Sequence, residues 1–101
     1  MLQSGNLIRR EQLPLPRPYI APRTPTEQRL AGIWCKALNM NCIGIEDDYQ
    51  DLGGDSFLAA VIFAEIVECF VITIPMATLI DAPTIALLAL KVDELTQARR
   101  A

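Results

Sequence analysis

Histidine is absent from this 101-residue chain, so a Ser-His-Asp triad cannot be assembled from its side chains. A P-loop and a G-x-S-x-G nucleophile elbow are absent as well. The cysteines are odd in number and form no C-x-x-C pair, which argues against a zinc site or a disulfide framework and favours small core residues in a reducing, cytoplasmic setting: Cys35, Cys42 and Cys69. We therefore expect a protein without catalytic residues of its own.

The chain also lacks an apolar run long enough for a membrane span, which needs roughly 20 residues. Residues 57–64 are wholly apolar, but Glu65 and Glu68 follow. Basic charge is scarce beyond the N-terminal segment, since residues 1–23 carry a net +3 and residues 24–101 a net −6. A nucleic-acid-binding domain would more often show a basic face. We expect neither a membrane segment nor a nucleic-acid partner.

Proline is concentrated near the N-terminus. Five of the seven prolines lie there: Pro14, Pro16, Pro18, Pro22 and Pro25. This spacing excludes a helix or a central strand and predicts an extended, polyproline-like linker over residues 1–23. Two interpretations stay open. The linker is either a disordered lead-in or an ordered strap that lays Leu13, Leu15 and Tyr19 on a neighbouring domain.

A first helix begins at the sequence Thr24-Pro25-Thr26-Glu27, which has the pattern of a capping box with proline at the first helical position. Apolar residues then recur with helical spacing at Leu30, Ile33, Trp34, Ala37 and Leu38. This pattern predicts one buried helix face, with Trp34 as a core residue rather than a ligand platform.

A second helix is predicted from Ser56 to Phe70, with Asp55 as its cap and the glycine pair before it forming a sharp turn. The helix is apolar nearly all round, and complete burial is difficult in so small a domain. We therefore expect part of its surface to remain exposed near the serine and to form a docking face: Phe57, Ala60, Val61 and Ala64.

The rest of the chain predicts an extended connection over residues 71–75, because no second strand is available to pair with it. A short third helix is predicted over residues 76–80, and a turn with a cap follows. The last helix carries an apolar stripe and should end near Gln97: Ile85, Leu88, Val92 and Leu95.

The loop over residues 39–55 is long for a small domain. Four residues are expected to fix it to the core: Ile43, Ile45, Tyr49 and Leu52. Its acidic residues invite a calcium interpretation but fail the EF-hand pattern, because Tyr49 stands at the third position from Asp47 and no glutamate follows at the twelfth. We expect no metal site, and take the acids to be solvated caps.

Ser56 is the candidate functional residue. A helix N-terminus favours anions, so a serine at this place is suited to carry a phosphate ester. Serine is also a preferred helix cap, and the Gly-Gly-Asp-Ser sequence alone leaves both interpretations open.

Three motifs in order resemble the peptidyl carrier (thiolation) domains of nonribosomal peptide synthetases: the sequence at residues 26–30, the sequence at residues 47–56, and Asp81-Ala82-Pro83-Thr84-Ile85. The resemblance spans residues 24–97. It implies an all-α four-helix bundle of the acyl carrier protein-like type, with three longer helices and one short one. It also implies that a separate transferase attaches 4′-phosphopantetheine from coenzyme A to Ser56, beside Gly54 and Asp55, and that the arm holds an acyl or aminoacyl group as a thioester.

The sequence from Gly5 to Pro14 resembles the tail of an adenylation domain, with Asn6 in place of the catalytic lysine. The strap of such proteins implies docking through Leu13, Pro14 and Pro16. The division is then a linker at 1–23, a carrier domain at 24–98 and a tail at 99–101. Further expected partners are condensation, ketosynthase, thioesterase and reductase domains, and the excised domain should be monomeric.

The apolar residues after Ser56 favour a peptidyl carrier over the carriers of fatty-acid synthesis, whose second helix is usually more acidic. Two alternatives remain at this point. One is an acyl carrier of a polyketide or hybrid assembly line. The other is an unmodified helical interaction module in which Ser56 only caps a helix.

Overall fold

The computed structural model describes residues 7–100, apart from the side chain of Arg100. Four helices follow one another: α1 (Pro25–Leu38), α2 (Ser56–Phe70), α3 (Thr78–Asp81) and α4 (Ile85–Arg100). The predicted all-α fold with three longer helices and one short helix is confirmed. None of the helices in this part of the chain is long and apolar enough to cross a membrane.

The start of α1 has the Thr24 cap of the predicted capping box, while Glu27 bonds mainly to Arg23. The Thr24 hydroxyl accepts the Glu27 N–H at 3.1 Å, and Pro25 occupies the first turn. The Glu27 carboxylate accepts the backbone N–H of Arg23 at 2.8 Å and the Arg23 guanidinium at 2.8 Å, and the Thr24 backbone makes a smaller contribution. Because both side chains are ionised, the bonds between Arg23 and Glu27 dominate.

The core lies between the three longer helices and the loop that joins α1 to α2. Trp34 is completely buried, as predicted, and its ring meets the Tyr49 ring edge to face at a centroid distance of 5.4 Å. The other fully buried large side chains come from all three helices and from that loop: Leu30, Ile43, Ile45, Ile62, Ile66, Ile85, Leu88 and Val92. The predicted core positions of Ile43, Ile45, Tyr49 and Leu52 are confirmed.

The connection from α2 to α3 is extended, as predicted. It begins at Val71, which ends α2 in the left-handed region at a φ of 54°, a conformation that a β-branched residue rarely adopts. Ile72 and Ile74 then point into the core, so the alternation of an extended chain secures the segment without a partner strand. Helix α3 begins at Thr78, two residues later than predicted.

Helix α4 continues to Arg100, so the prediction that it ends near Gln97 is wrong. Alanine and arginine are good helix formers, and cations at the C-terminus interact favourably with the helix dipole. These local preferences extend the helix beyond the last residue of its apolar stripe.

The cysteines are free thiols, but they do not all occupy the core. Cys35 and Cys42 are half-buried, whereas Cys69 is exposed near the end of α2, so the prediction of core positions is wrong for Cys69. Burial raises the pKa of the Cys35 thiol to about 11.

The proline-rich segment over residues 7–23 lies against the chain's own helical domain. Ile8 forms an isolated parallel bridge with Met40, and the Ile45 N–H donates to the Ile20 carbonyl at 2.9 Å. Leu13 and Leu15 are partly buried against the core. The described part of the linker is therefore not a disordered lead-in, while Gly5 and Asn6 lie outside the described residues.

The pairing of Glu27 predicts an acid-sensitive contribution to stability. Hydrogen bonds from Arg23 hold the pKa of the Glu27 carboxyl below its ordinary value of 4.5. A group with a lowered folded-state pKa stabilises the fold above its unfolded pKa, and this stabilisation is lost as the pH falls through the folded value. We expect Glu27→Gln to lower the urea midpoint at pH 7 but to match the parent far more closely at pH 3.

The matched control is Glu68→Gln, which changes an exposed carboxylate on α2. It should leave the urea midpoint at pH 7 close to that of the parent. A Glu27→Gln deficit of equal size at both pH values would contradict the account.

Candidate functional site

Ser56 is the first residue of α2, and its side chain is exposed. The helix cap is the residue before it, because the Asp55 carboxylate accepts the Leu58 N–H at 2.8 Å. Ser56 is therefore not the N-cap, which removes the interpretation that it serves only in that role. Among the described residues, no hydrogen-bond partner is found for its hydroxyl.

The turn before Ser56 depends on both glycines. Gly53 has a φ of +84°, a conformation that other residues adopt only with strain. A Cβ atom on Gly54 would lie 2.2 Å from the Tyr49 ring, far inside contact distance. The two glycines thus have different tasks, since one allows the backbone to turn and the other allows it to pass over an aromatic ring.

Tyr49 fixes this turn to the rest of the domain. Its hydroxyl donates to the Asp55 carbonyl at 2.7 Å, and its N–H donates to the Pro83 carbonyl at 2.8 Å. Burial raises the pKa of Tyr49, and the nearby Asp55 charge adds to the effect. The phenol therefore stays neutral at physiological pH and keeps its proton for the bond to Asp55. The same ring contacts Trp34 on α1. Ser56 is thereby positioned by the hydrophobic core.

A groove of about 580 Å³ opens beside Ser56, between the loop, the start of α2 and α3. Its polar lining residues include Asp48, Gln50 and Asp55. Its apolar lining residues are Ala59, Met76, Ala77, Leu79, Ile80 and Pro83. A flexible chain attached to Ser56 could therefore lie along a surface that offers both polar and apolar contacts.

Large apolar side chains are exposed around the groove. Phe57 is 73% exposed and Ile80 is 81% exposed, and Val61 and Met76 are also accessible. Ala60 and Ala64 are exposed on the same helix as Phe57. The exposure predicted for the α2 residues is therefore present. The contribution of α3 was missed, because a four-residue helix shows no amphipathic pattern in the sequence.

The other predicted docking residues lie away from this groove. Leu13 is partly buried, Pro14 and Pro16 are exposed, and none of the three lines the groove. The part played by Tyr49 as the support of Gly54 was also missed. The signal that could have found it is the placement of an aromatic residue five positions before a paired glycine.

Comparison with known proteins shows what this arrangement is. Residues 28–92 match the family described as "Phosphopantetheine attachment site". The chain belongs to this family. Its cofactor is 4′-phosphopantetheine, as the resemblance implied, and the chain is a carrier domain rather than a catalytic one.

The related sequences include synthases of peptide products. The chain is 37% identical over 91 residues to tyrocidine synthase 3 of Brevibacillus parabrevis, a match that covers 83% of the chain and 1% of the relative. It is 44% identical over 86 residues to the chondramide synthase of Chondromyces crocatus, covering 82% of the chain and 2% of the relative. The chain thus spans a very small part of these curated relatives.

Solved structures support the same assignment. A peptidyl carrier protein in complex with the phosphopantetheine transferase Sfp and coenzyme A matches with a TM-score of 0.73 and 33% identity, covering 75% of this chain and 99% of that one. A docking domain complex of the Pax synthetase matches with a TM-score of 0.79 and 29% identity, covering 86% and 84%. The A-PCP portion of McyG with phenylalanyl-adenylate matches at 0.71 and 27%, covering 73% and 12%.

The predicted resemblance to a peptidyl carrier domain is confirmed, and the relatives favour the peptidyl type over the polyketide alternative. The chain has the helical bundle of such carriers. The function of this domain is to hold intermediates as thioesters on the phosphopantetheine arm.

The contact between Tyr49 and Gly54 can be tested by substitution. We expect Gly54→Ala to lower the free energy of unfolding by about 1–3 kcal/mol, because the added methyl overlaps the Tyr49 ring. The penalty should largely disappear in a Tyr49→Ala background, where the ring is gone. Urea unfolding followed by circular dichroism measures both.

Gly32 provides the control, since a Cβ there would meet nothing within 4 Å in the middle of α1. Gly32→Ala should stabilise the protein by about 0.5–1 kcal/mol. A Gly54→Ala penalty that is unchanged by removing the Tyr49 ring would disprove the close-approach explanation.

Proposed function

We propose that Ser56 is the residue that carries the 4′-phosphopantetheine arm. The observation that carries this proposal is the exposed Ser56 hydroxyl, without a hydrogen-bond partner among the described residues, at the first position of α2 and beside an open groove. Gly54 and Asp55 support the attachment point, since the first lets the chain pass over Tyr49 and the second caps the helix. Ser56 also lies inside the matched family segment at residues 28–92.

The modification requires little from this chain beyond presentation of the hydroxyl. The Ser56 oxygen forms a bond to the phosphorus of coenzyme A next to the pantetheine, the bond to 3′,5′-adenosine diphosphate breaks, and a base of the transferase accepts the hydroxyl proton. The transferase supplies the catalysis. When bound, the arm supplies a thiol that holds an acyl or aminoacyl group as a thioester.

The surroundings of Ser56 suit a phosphodiester. The first N–H groups of a helix have no intrahelical acceptor, and the helix dipole favours negative charge there. Asp55 already bonds to the Leu58 N–H and so occupies only part of this donor set. The rigid base matters as well, because a fixed attachment point lets a flexible arm raise the local concentration of its cargo at each partner site.

We propose that the exposed apolar residues near Ser56 form the docking surface for partner proteins. This surface consists of Phe57, Ala60 and Val61 on α2, and we include Met76 and Ile80 because they are exposed as well. Aromatic and methionine side chains are enriched in protein interfaces. The matched structures in which a carrier is seen with the transferase Sfp, or within an A-PCP unit or a docking domain complex, support partners of these classes.

Condensation, ketosynthase, thioesterase and reductase domains are proposed as further partners through the same surface. The proline-rich segment, through Leu13, Pro14 and Pro16, is proposed to meet an adenylation domain. We propose a carrier domain at residues 24–98, a linker at 1–23 and a tail at 99–101, monomeric when excised. A cytoplasmic location is proposed because coenzyme A is available there and the cysteines are free thiols.

The attachment proposal predicts a mass change. Incubation with coenzyme A and the transferase Sfp should add one phosphopantetheine to the parent chain, and Ser56→Ala should show no gain. The control is Ser4→Ala, which removes the only other serine of the chain and should be modified like the parent. Intact-mass spectrometry gives the result, and a gain that persists in Ser56→Ala, with helical content unchanged, would overturn the proposal.

The docking proposal predicts that a substitution on this surface weakens partner recognition without weakening the fold. Phe57→Asp should lower kcat/KM for Sfp by at least about tenfold, because exposed aromatic residues at interfaces carry much of the binding energy, while its Tm stays near that of the parent. The control on the same helix is Phe63→Asp, which places a charge in the core and should abolish cooperative unfolding. A Phe57→Asp variant that is modified at the parental rate would contradict the docking surface.

A further inference from the structure

The N-terminal segment makes a specific set of contacts with the loop that leads to Ser56. We define the strap as residues 8–20 and the receiving loop as residues 39–47. The Ile8 N–H donates to the Asn39 carbonyl at 2.8 Å, and the Asn41 N–H donates to the Ile8 carbonyl at 2.9 Å. At the far end, the Ile45 N–H donates to the Ile20 carbonyl at 2.9 Å. Both ends of the strap are thus tied to one loop.

Arg10 connects several residues in the middle of the strap. Its guanidinium forms two hydrogen bonds of 2.7 Å with the Asp47 carboxylate, a bidentate pair, and a third of 3.0 Å with the Arg17 carbonyl. It also stacks on the Tyr19 ring at 5.4 Å from the centroid. The Arg10 backbone N–H adds a bond of 2.8 Å to the Asn41 side chain. One side chain therefore joins the strap to the loop and the two halves of the strap to each other.

Asp47 is buried and positioned to bind the Arg10 guanidinium. Its side chain is 1% exposed, and it also accepts the Gly44 N–H at 2.7 Å. The prediction that the loop acids are solvated caps is wrong for Asp47, whose pairing with Arg10 spans 37 positions of the chain. Gly44 has little room for a side chain, since a Cβ would lie 3.1 Å from the Ile20 nitrogen and 3.2 Å from the Asp47 carboxylate. The loop surface is shaped to fit the strap closely.

The remaining contacts of the strap are the backbone bonds at its two ends, the exposed Arg17–Glu46 ion pair at 3.4 Å and a few apolar contacts. None of its described residues is fully buried, and its apolar contacts with the edge of the core come from Leu13, Leu15 and Ile20. Its regular structure is a single 3-10 turn at Arg10–Gln12, and the prolines that follow cannot donate backbone hydrogen bonds. When a charge pair is buried, removing either partner is strongly destabilising, because the other charge is then left buried without a partner.

We propose that the strap is a releasable clasp, closed by the buried Arg10–Asp47 pair, which sets how far the carrier domain can move from the chain that precedes Ile8. The clasp as a folding unit does not depend on the cofactor, and only its purpose rests on the proposed carrier function. In the closed state, residues 8–20 are bound to the carrier domain and do not lengthen its connection to the preceding chain.

The released strap would be about as long as the structure itself. Fully extended, residues 8–20 could span at most about 45 Å, at roughly 3.3–3.6 Å per residue. The longest dimension of the described structure, strap included, is 44 Å. Opening the clasp would therefore free a length of chain comparable to that dimension, which suits a carrier that must visit several partners. The receiving loop continues directly into Tyr49 and Gly54, so the closed clasp also supports the loop that positions Ser56.

Hydrogen exchange of the full chain, followed residue by residue by NMR, tests the clasp. In the parent, the amides of Ile8, Asn41 and Ile45 should be protected but should exchange faster than the core amides of α2. Arg10→Ala and Asp47→Asn should each speed exchange at these three amides by at least about tenfold, with α2 amides within about twofold of the parent. Asp47→Asn keeps an oxygen that can accept the Gly44 N–H, and so isolates the loss of charge.

The matched control is Arg9→Ala, because the Arg9 guanidinium forms an ion pair with the exposed Glu11 of the same strap and its side chain is 59% exposed. It should leave the three amides at parental rates. Unchanged protection in both clasp variants would overturn the proposal. So would an equal acceleration in the α2 core, since the pair would then belong to the global fold rather than to a releasable element. Attachment of the arm to the parent chain, measured by mass, is a separate readout whose failure would concern the proposed function alone.

Discussion

The packing of the Tyr49 ring beneath Gly54 is the contact on which the candidate site depends. The ring lies so close that any larger residue at position 54 would overlap it, and its hydroxyl holds the Asp55 carbonyl that starts α2. Because the Tyr49 ring also contacts Trp34, the start of α2 is connected to the centre of the core. The position of the exposed Ser56 therefore depends on buried side chains.

This arrangement explains how a small helical domain can serve as a carrier without catalytic groups. A carrier needs an accessible hydroxyl at a fixed point and an apolar surface that partners can recognise. The loop over residues 39–55 supplies the first through its buried side chains, and the proposed docking surface on α2 and α3, which includes Phe57 and Ile80, would supply the second. Under this proposal, the core contacts and the docking residues lie on different faces of α2, since Ile62 and Ile66 point inward while Phe57 points outward.

Local signals in the sequence predicted local structure well. The bounds of α2 followed from the Asp55 cap and the apolar run, and the burial of Trp34 followed from helical spacing. Features that depend on contacts between residues far apart in the sequence could not be predicted in the same way. The burial of Asp47 requires Arg10 to return across 37 positions, and the exposure of Ile80 requires the packing of a helix too short to show a pattern. The end of α4 was misplaced because no capping residue marks it.

The central claim is that the turn held by Tyr49 presents Ser56 as the single attachment point for the cofactor. The most direct measurement is tandem mass spectrometry of a proteolytic digest after reaction with Sfp and coenzyme A, which locates the added group on an individual residue. The account predicts the phosphopantetheine fragment on Ser56 alone. A fragment series that places the group on any other hydroxyl or thiol of the chain would contradict it.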